Sequence, residues 1–251
     1  APRPNPYKEG SMNPRGITTS RVHAALEREP RVNLHRHPIR IASADGTVTL
    51  EGEVADVAAK KLALELAGSV SGVRAVVDRL RVAPGERRGD GAIRDSLARM
   101  LLEAPELKRC GFTLRAKKTA LLRQVDRDAV GEIEIAVADG VILLEGHVIS
   151  QSYLRFVGAL AWWTPGRRDV INALEVRPAY EDRDDEVAEV MRLVLEADPE
   201  LDADLIRADC TDKVVVLEGS VPSARQKRRA ELDAWSLFAI RGVVNRLQVS
   251  G

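Results

Sequence analysis

Three stretches of this chain, residues 39–82, 133–176 and 206–249, align with one another without a gap. No other feature constrains the fold as tightly, because each copy has to be the same supersecondary unit. Ile39, Ile133 and Ile206 each open a run that alternates apolar and polar residues, the period of a half-buried strand. Asp45-Gly46 and Asp139-Gly140 follow as hairpin turns, since Gly accepts a positive φ; the third copy has Asp212-Lys213, a weaker turn. A second strand then ends in Leu50-Glu51-Gly52, Leu144-Glu145-Gly146 and Leu217-Glu218-Gly219. Glycine at that point signals a tight exit or a close approach of another backbone. A helix of about four turns comes next, and a last strand closes each copy at Val82, Val176 and Val249.

A further helix precedes each copy. Val22 and Leu26, Leu97 and Leu101, and Met191 and Leu195 are pairs four residues apart, and Pro30, Pro105 and Pro199 follow them as stops. The fold class is therefore α+β, with three tandem α-β-β-α-β units. The boundaries are a flexible tail over 1–16, a first domain over 17–83, a linker over 84–90, a second domain over 91–178 and a third over 179–251. The second copy carries an insertion at about 108–131, and its Leu121, Leu122 and Val125 predict a short extra helix.

Composition narrows the function. The 251 residues are 45% apolar and 30% charged, ordinary for a globular chain, with 38 acidic and 38 basic side chains in balance. No global field draws such a protein onto nucleic acid or an anionic membrane. An aromatic content of 4% leaves few stacking platforms, so nucleic acid is a disfavoured partner; Arg115, Lys117, Lys118, Arg123 and Arg127 are the best basic stretch for it. Residues 1–10 lack the apolar stretch of a signal peptide, and no run of 18 apolar residues occurs. A first residue of Ala is compatible with a processed secreted chain and with a Met-trimmed cytosolic one. Cys110 and Cys210 fit no zinc spacing and are read as free thiols or as one pair. His35 and His37 lack further ligands. Asp198, Glu200, Asp202 and Asp204 invite a calcium reading, but Ala203 and Asp209 stand where a calcium loop needs Gly and Glu. Neither a metal nor a cofactor is expected. No phosphate loop, nucleophile elbow or metalloprotease run is present.

The turn, then Val48, Leu50, Gly52 and Val54, then Gly72, Val73, Val76, Asp78, Leu80 and Val82 resemble the BON domain, named for bacterial osmotically induced and nodulation proteins. The second copy carries the pattern in Leu144, Gly146, Val148, Gly166, Val170, Asn172, Leu174 and Val176, and the third in Val215, Leu217, Gly219, Val221, Val243, Asn245, Leu247 and Val249. Arg167 departs from it after Gly166, as do Ala239-Ile240 in the third copy. The resemblance implies a three-stranded mixed sheet in each unit with two helices on one face. It implies a non-enzymatic role in the cell envelope or periplasm, related to osmotic or envelope stress, with an anionic phospholipid surface or an envelope protein as partner. The alternative is a cytoplasmic protein–protein or homo-oligomerisation module.

Candidate contact residues come from the differences between copies. On the helix predicted over 150–164, Trp162 falls about 140° from Val157 and off the core face at 100° per residue. Trp235 occupies the same repeat position. The two are read either as packing between repeats or as exposed anchors for a membrane or partner, with Trp163 beside them. Arg155, Arg167 and Arg168 nearby suit anionic headgroups. Residues 181–212 hold 13 acidic and 3 basic side chains, and Arg225, Lys227, Arg228 and Arg229 follow as a basic patch. That patch is read as a solvated face, as a phosphate or acidic-partner site, or as the counterpart of the chain's own acidic segment.

Overall fold

The computed structural model describes residues 14–116, 119–125, 128–179 and 181–250. Most of the tail expected over 1–16 lies outside the described residues, as do Lys117, Lys118 and Arg127 of the basic stretch. The described residues form six helices and twelve strands in three separate sheets, an α+β fold. The chain falls into two compact units, one of Ala1–Ala55 with Ala59–Arg81, the other of Asp56–Ala58 with Val82–Gly251. The second and third repeats thus share one unit.

The first repeat consists of α1 (Pro14–Glu27), β1 (Ile39–Ala44), β2 (Thr47–Val54), α2 (Val57–Ser69) and β3 (Ala75–Val82), with sheet order β1-β2-β3. The second repeat has α3 (Asp90–Glu103), a 3-10 turn (Pro105–Leu107), β4 (Cys110–Arg115), β5 (Ala120–Arg123), β6 (Gly131–Ala138), β7 (Val141–Val148), α4 (Gln151–Trp163) and β8 (Asp169–Val176). The third has α5 (Asp184–Ala197), a 3-10 turn (Ala203–Leu205), β9 (Ile206–Thr211), β10 (Val214–Val221), α6 (Ala224–Ser236), β11 (Gly242–Asn245) and β12 (Gln248–Val249). Two of these sheets depart from the three-stranded expectation. In the third repeat β11 and β12 are one interrupted strand, both parallel to β10. In the second the order is β5-β4-β6-β7-β8.

The two extra strands are the insertion, and they correct the expected short helix. β4 pairs parallel to β6, and β5 pairs antiparallel to β4. Cys110, Phe112 and Leu114 face inward at alternate positions, whereas Leu121 is 62% exposed on the sheet edge. The period-2 pattern of β4 outweighs the helical spacing of Leu121, Leu122 and Val125. With a neighbour on both sides, β6 buries Ile133 and Ile135 more completely than β1 or β9 buries its apolar row.

The repeat pattern acts through the same contacts in each copy. Val48, Leu50 and Val54, Ile142, Leu144 and Val148, and Val215, Leu217 and Val221 form the core row of each second strand. Val22, Leu26, Leu97, Leu101, Met191 and Leu195, the paired residues before the prolines, are each no more than 1% exposed. Each hairpin turn has positive φ at both central residues: Asp45-Gly46, Asp139-Gly140 and Asp212-Lys213. The N–H of Arg74, Arg168 and Arg241, one repeat position, donates to the carbonyl of Gly46, Gly140 and Lys213, each at 2.7 Å. Asn172 and Asn245 each accept from the N–H two residues on, and their Nδ2 donates to a carbonyl of the preceding helix, Leu154 at 2.8 Å and Lys227 at 2.9 Å. Asp78 keeps the first bond and reverses the second, taking an ion pair from Lys60 at 2.8 Å.

Ala239 holds the repeat position of Gly72 and Gly166. It has φ 59°, against 92° and 86° for those glycines. An L-residue there carries about 1 kcal/mol of left-handed strain, partly offset because Gly has a freer unfolded chain. Ala239→Gly is expected to raise stability by about 0.5 kcal/mol net and to shift the thermal midpoint upward. A lowered midpoint in a fluorescence melt would refute the strain argument.

Candidate interaction site at the joint of the second and third repeats

Helix α4 lies against β7 and β8 and also against α3, α5 and α6. Its residues Arg155 to Trp162 are all buried. The run 156–163 is apolar or glycine throughout, and such a helix is covered on every side. Gly158 admits Phe238 of the third repeat, because a Cβ there would lie 2.5 Å from its ring. Beside it, fully buried Arg155 donates from Nε to the Phe238 carbonyl at 3.1 Å and from Nη2 to Asp182 at 2.5 Å. Burial alone would raise the Asp182 carboxyl, but Arg155 and then Lys213 outweigh it and hold it below the usual carboxylate range.

At the far end of α4, the indole N–H of Trp163 donates to Asp233 Oδ1 of α6 at 2.9 Å. Arg229, one turn earlier on α6, stacks over the Trp163 ring at 5.8 Å and bonds Asp198 at 2.5 Å, with Asp233 at 3.8 Å. Asp198 and Asp233 are each 1% exposed. Burial, then the hydrogen bond and charge of Asp198, push the Asp233 carboxyl up to about 8. Burial would raise Asp198 too, but hydrogen bonds from Asp233 and Arg229 leave it lowered. Asp233 therefore holds the proton and Asp198 the charge, which Arg229 neutralises.

Trp163 and Arg229 also line one end of a groove of about 550 Å³, within the usual range of about 300–1,000 Å³ for ligand clefts. Phe156 and Leu160 form its floor, and the ends of α3 and α5 form its walls. A smaller hollow of about 250 Å³ shares Phe156 and Glu106 with it. Glu103, Glu106 and Glu196 stand exposed on the rim, and only Glu196 has an ion-pair partner among the described residues, Arg192.

The residues singled out from sequence divide sharply. Trp162 and Trp235 are 3% and 2% exposed, which fits the packing reading and not the exposed anchors. Arg167 lies over the Trp162 ring at 5.9 Å, and its guanidinium is lowered, chiefly by burial. Arg168 holds the β6–β7 turn. Arg155 is a buried joint residue and is not open to a headgroup. The basic patch is engaged internally: Arg225 with Glu200 at 2.6 Å, Lys227 with the Leu247 carbonyl at 2.6 Å, Arg228 with Glu231 at 3.4 Å, and Arg229 with Asp198. Only Trp163 and Arg229 reach the groove. Sequence reasoning passed over Asp233, whose visible signal was its four-residue spacing from Arg229. It also passed over Asp90 and Asp184. Each opens a helix and accepts from two N–H groups of a hairpin turn, Asp139 and Gly140 for the one, Asp212 and Lys213 for the other.

The model of the BON domain matches residues 15–84, 113–178 and 183–251, most of the chain. The chain belongs to the BON domain family. In the second BON repeat the match begins inside the insertion, which separates α3 from the strands it covers. No curated protein matches the chain. Two solved structures of CdsD, a structural protein of the type III secretion system of Chlamydia trachomatis, are similar to it. The C-terminal domain is 14% identical, with 92% of this chain and 96% of that one covered and a TM-score of 0.25. The other is 15% identical, with 92% of each chain covered and a TM-score of 0.23.

Proposed function

We propose that this protein is a non-catalytic interaction module, in which the second and third BON repeats act together and meet a protein partner at the groove between them. The groove is the observation that carries this reading. It is an apolar hollow of about 550 Å³ with two carboxylates at its rim, Glu103 and Glu106, that have no ion-pair partner among the described residues. The perturbed carboxyls nearby, Asp198 and Asp233, are buried and engaged with each other and with Arg229, which supports a structural role for them over a catalytic one. Family membership supports an envelope location and a stress-related role. An anionic lipid surface is the weaker partner, since the tryptophans that would anchor it are buried and the basic patch is spent on internal pairs.

The reading is tested in the cells that make the protein, with a photo-crosslinking residue in place of Met100 on the groove wall. Discrete protein adducts are the expected result. Lipid adducts alone, or none above those of the same residue placed at Ile171 on β8, would overturn it.

A further inference from the structure

We propose that the groove between the second and third BON repeats takes a cationic amphipathic segment of a protein partner, its apolar side chains on the half-buried Met100 and Trp163 and its Lys or Arg side chains over Glu103 and Glu106. This rests on the interaction reading above and names the chemistry of the partner. The floor is apolar and set between helices, the geometry in which an amphipathic helix lays its hydrophobic face. The rim has one sign of charge. Glu103 and Glu106 are exposed on one wall without an ion-pair partner among the described residues, whereas Glu196 opposite is already paired with Arg192. The cation that reaches the groove, Arg229, is bound to Asp198 at 2.5 Å. An acidic segment would set its carboxylates against that rim, where the basic side chain of the lining, Arg229, is already bound to Asp198. A neutral one would leave two carboxylates partly desolvated and unmatched.

The test uses the full chain and two labelled helical peptides of about 14 residues, one built from Leu and Lys and the other from Leu and Glu, followed by fluorescence polarisation. The Lys peptide is expected to bind at one site, with an affinity that falls as salt rises. Glu103→Lys with Glu106→Lys, on exposed positions, is expected to weaken the Lys peptide about ten-fold and to admit the Glu peptide. Ala197→Trp, which fills the groove without changing its charge, is expected to abolish both, with an unchanged thermal midpoint confirming the fold. Lys-peptide binding that survives the charge reversal and the filled groove would overturn the proposal, as would equal binding of the two peptides by the parent chain or no binding below about 100 µM. If crosslinked protein partners are found while the Lys peptide fails, the cationic chemistry falls and the interaction reading stands. Peptide binding without protein adducts in cells gives the converse.

Discussion

Gly146→Ala is expected to destabilise the unit formed by the second and third repeats by about 3–5 kcal/mol, the largest loss from adding one methyl group. Gly146 has φ 117°, and a Cβ there would lie 2.1 Å from the Glu132 carbonyl oxygen on β6. Backbone cannot swing aside as a flexible side chain can, so the methyl group forces β6 and β7 apart where Ile133 pairs with Gly146. Gly219 repeats the geometry, with φ 126° and the Leu205 carbonyl at 2.1 Å. Gly52 is milder, since the Pro38 carbonyl lies at 2.7 Å. The expected order of loss is Gly146 and Gly219 together, then Gly52. All three tryptophans lie in the second unit, so fluorescence in a urea titration follows Gly146→Ala and Gly219→Ala, and far-ultraviolet dichroism follows Gly52→Ala. A loss below about 1 kcal/mol at Gly146 would show that the strands can part at little cost.

Those glycines were legible because the chain writes them three times. Where a Cβ would strike a neighbouring backbone, Gly recurs in every copy, as at Gly52, Gly146 and Gly219; a positive φ alone does not demand it, since Lys213 and Ala239 stand where the other copies have Gly. What differs between copies was harder to read. The place of Trp162 stays open between packing and exposure as long as the helix is read as one-faced, although the apolar run from Phe156 to Trp163 leaves no polar face. Strand β4 was missed because Leu121, Leu122 and Val125 drew attention from the alternation of Cys110, Phe112 and Leu114. The candidate groove was not legible at all. Its floor comes from α4 and its rim from the ends of α3 and α5, and only the packing of two repeats brings them together. Asp90 and Asp184 were hidden because a helix-opening Asp is usually a local feature, and here its acceptors are spent on a turn far along the chain.

The same joint gives the second large expectation: the unit loses about 2 kcal/mol of stability between pH 6 and pH 9, and Asp233→Asn removes that loss. Asp233 Oδ1 takes the Trp163 N–H, while Oδ2 is buried with no donor in reach. A buried carboxylate oxygen facing Asp198 is satisfied only as the hydroxyl that donates to it. Folding thus raises the Asp233 carboxyl from 3.8 to about 8, so the folded state binds the extra proton between those values. Its contribution is complete below the unfolded value and is lost as pH rises through the folded one. Asp198 has the opposite sign. Its carboxyl is lowered, and its contribution is lost in acid, outside this window. Cys110 and Cys210, both pushed up to about 11, titrate above it. Asn keeps the acceptor for Trp163 and supplies from Nδ2 the donor that Asp198 requires, so it reproduces the protonated acid at every pH. The variant is expected to match the parent at pH 6 and to exceed it at pH 9 by the amount the parent has lost. Urea titrations at the two pH values, read by tryptophan fluorescence, measure both. A parent whose stability is flat or rises over that range would place the proton elsewhere. The charge left on Asp233 at pH 9 would then have to be carried by Arg229 alone, which already neutralises Asp198.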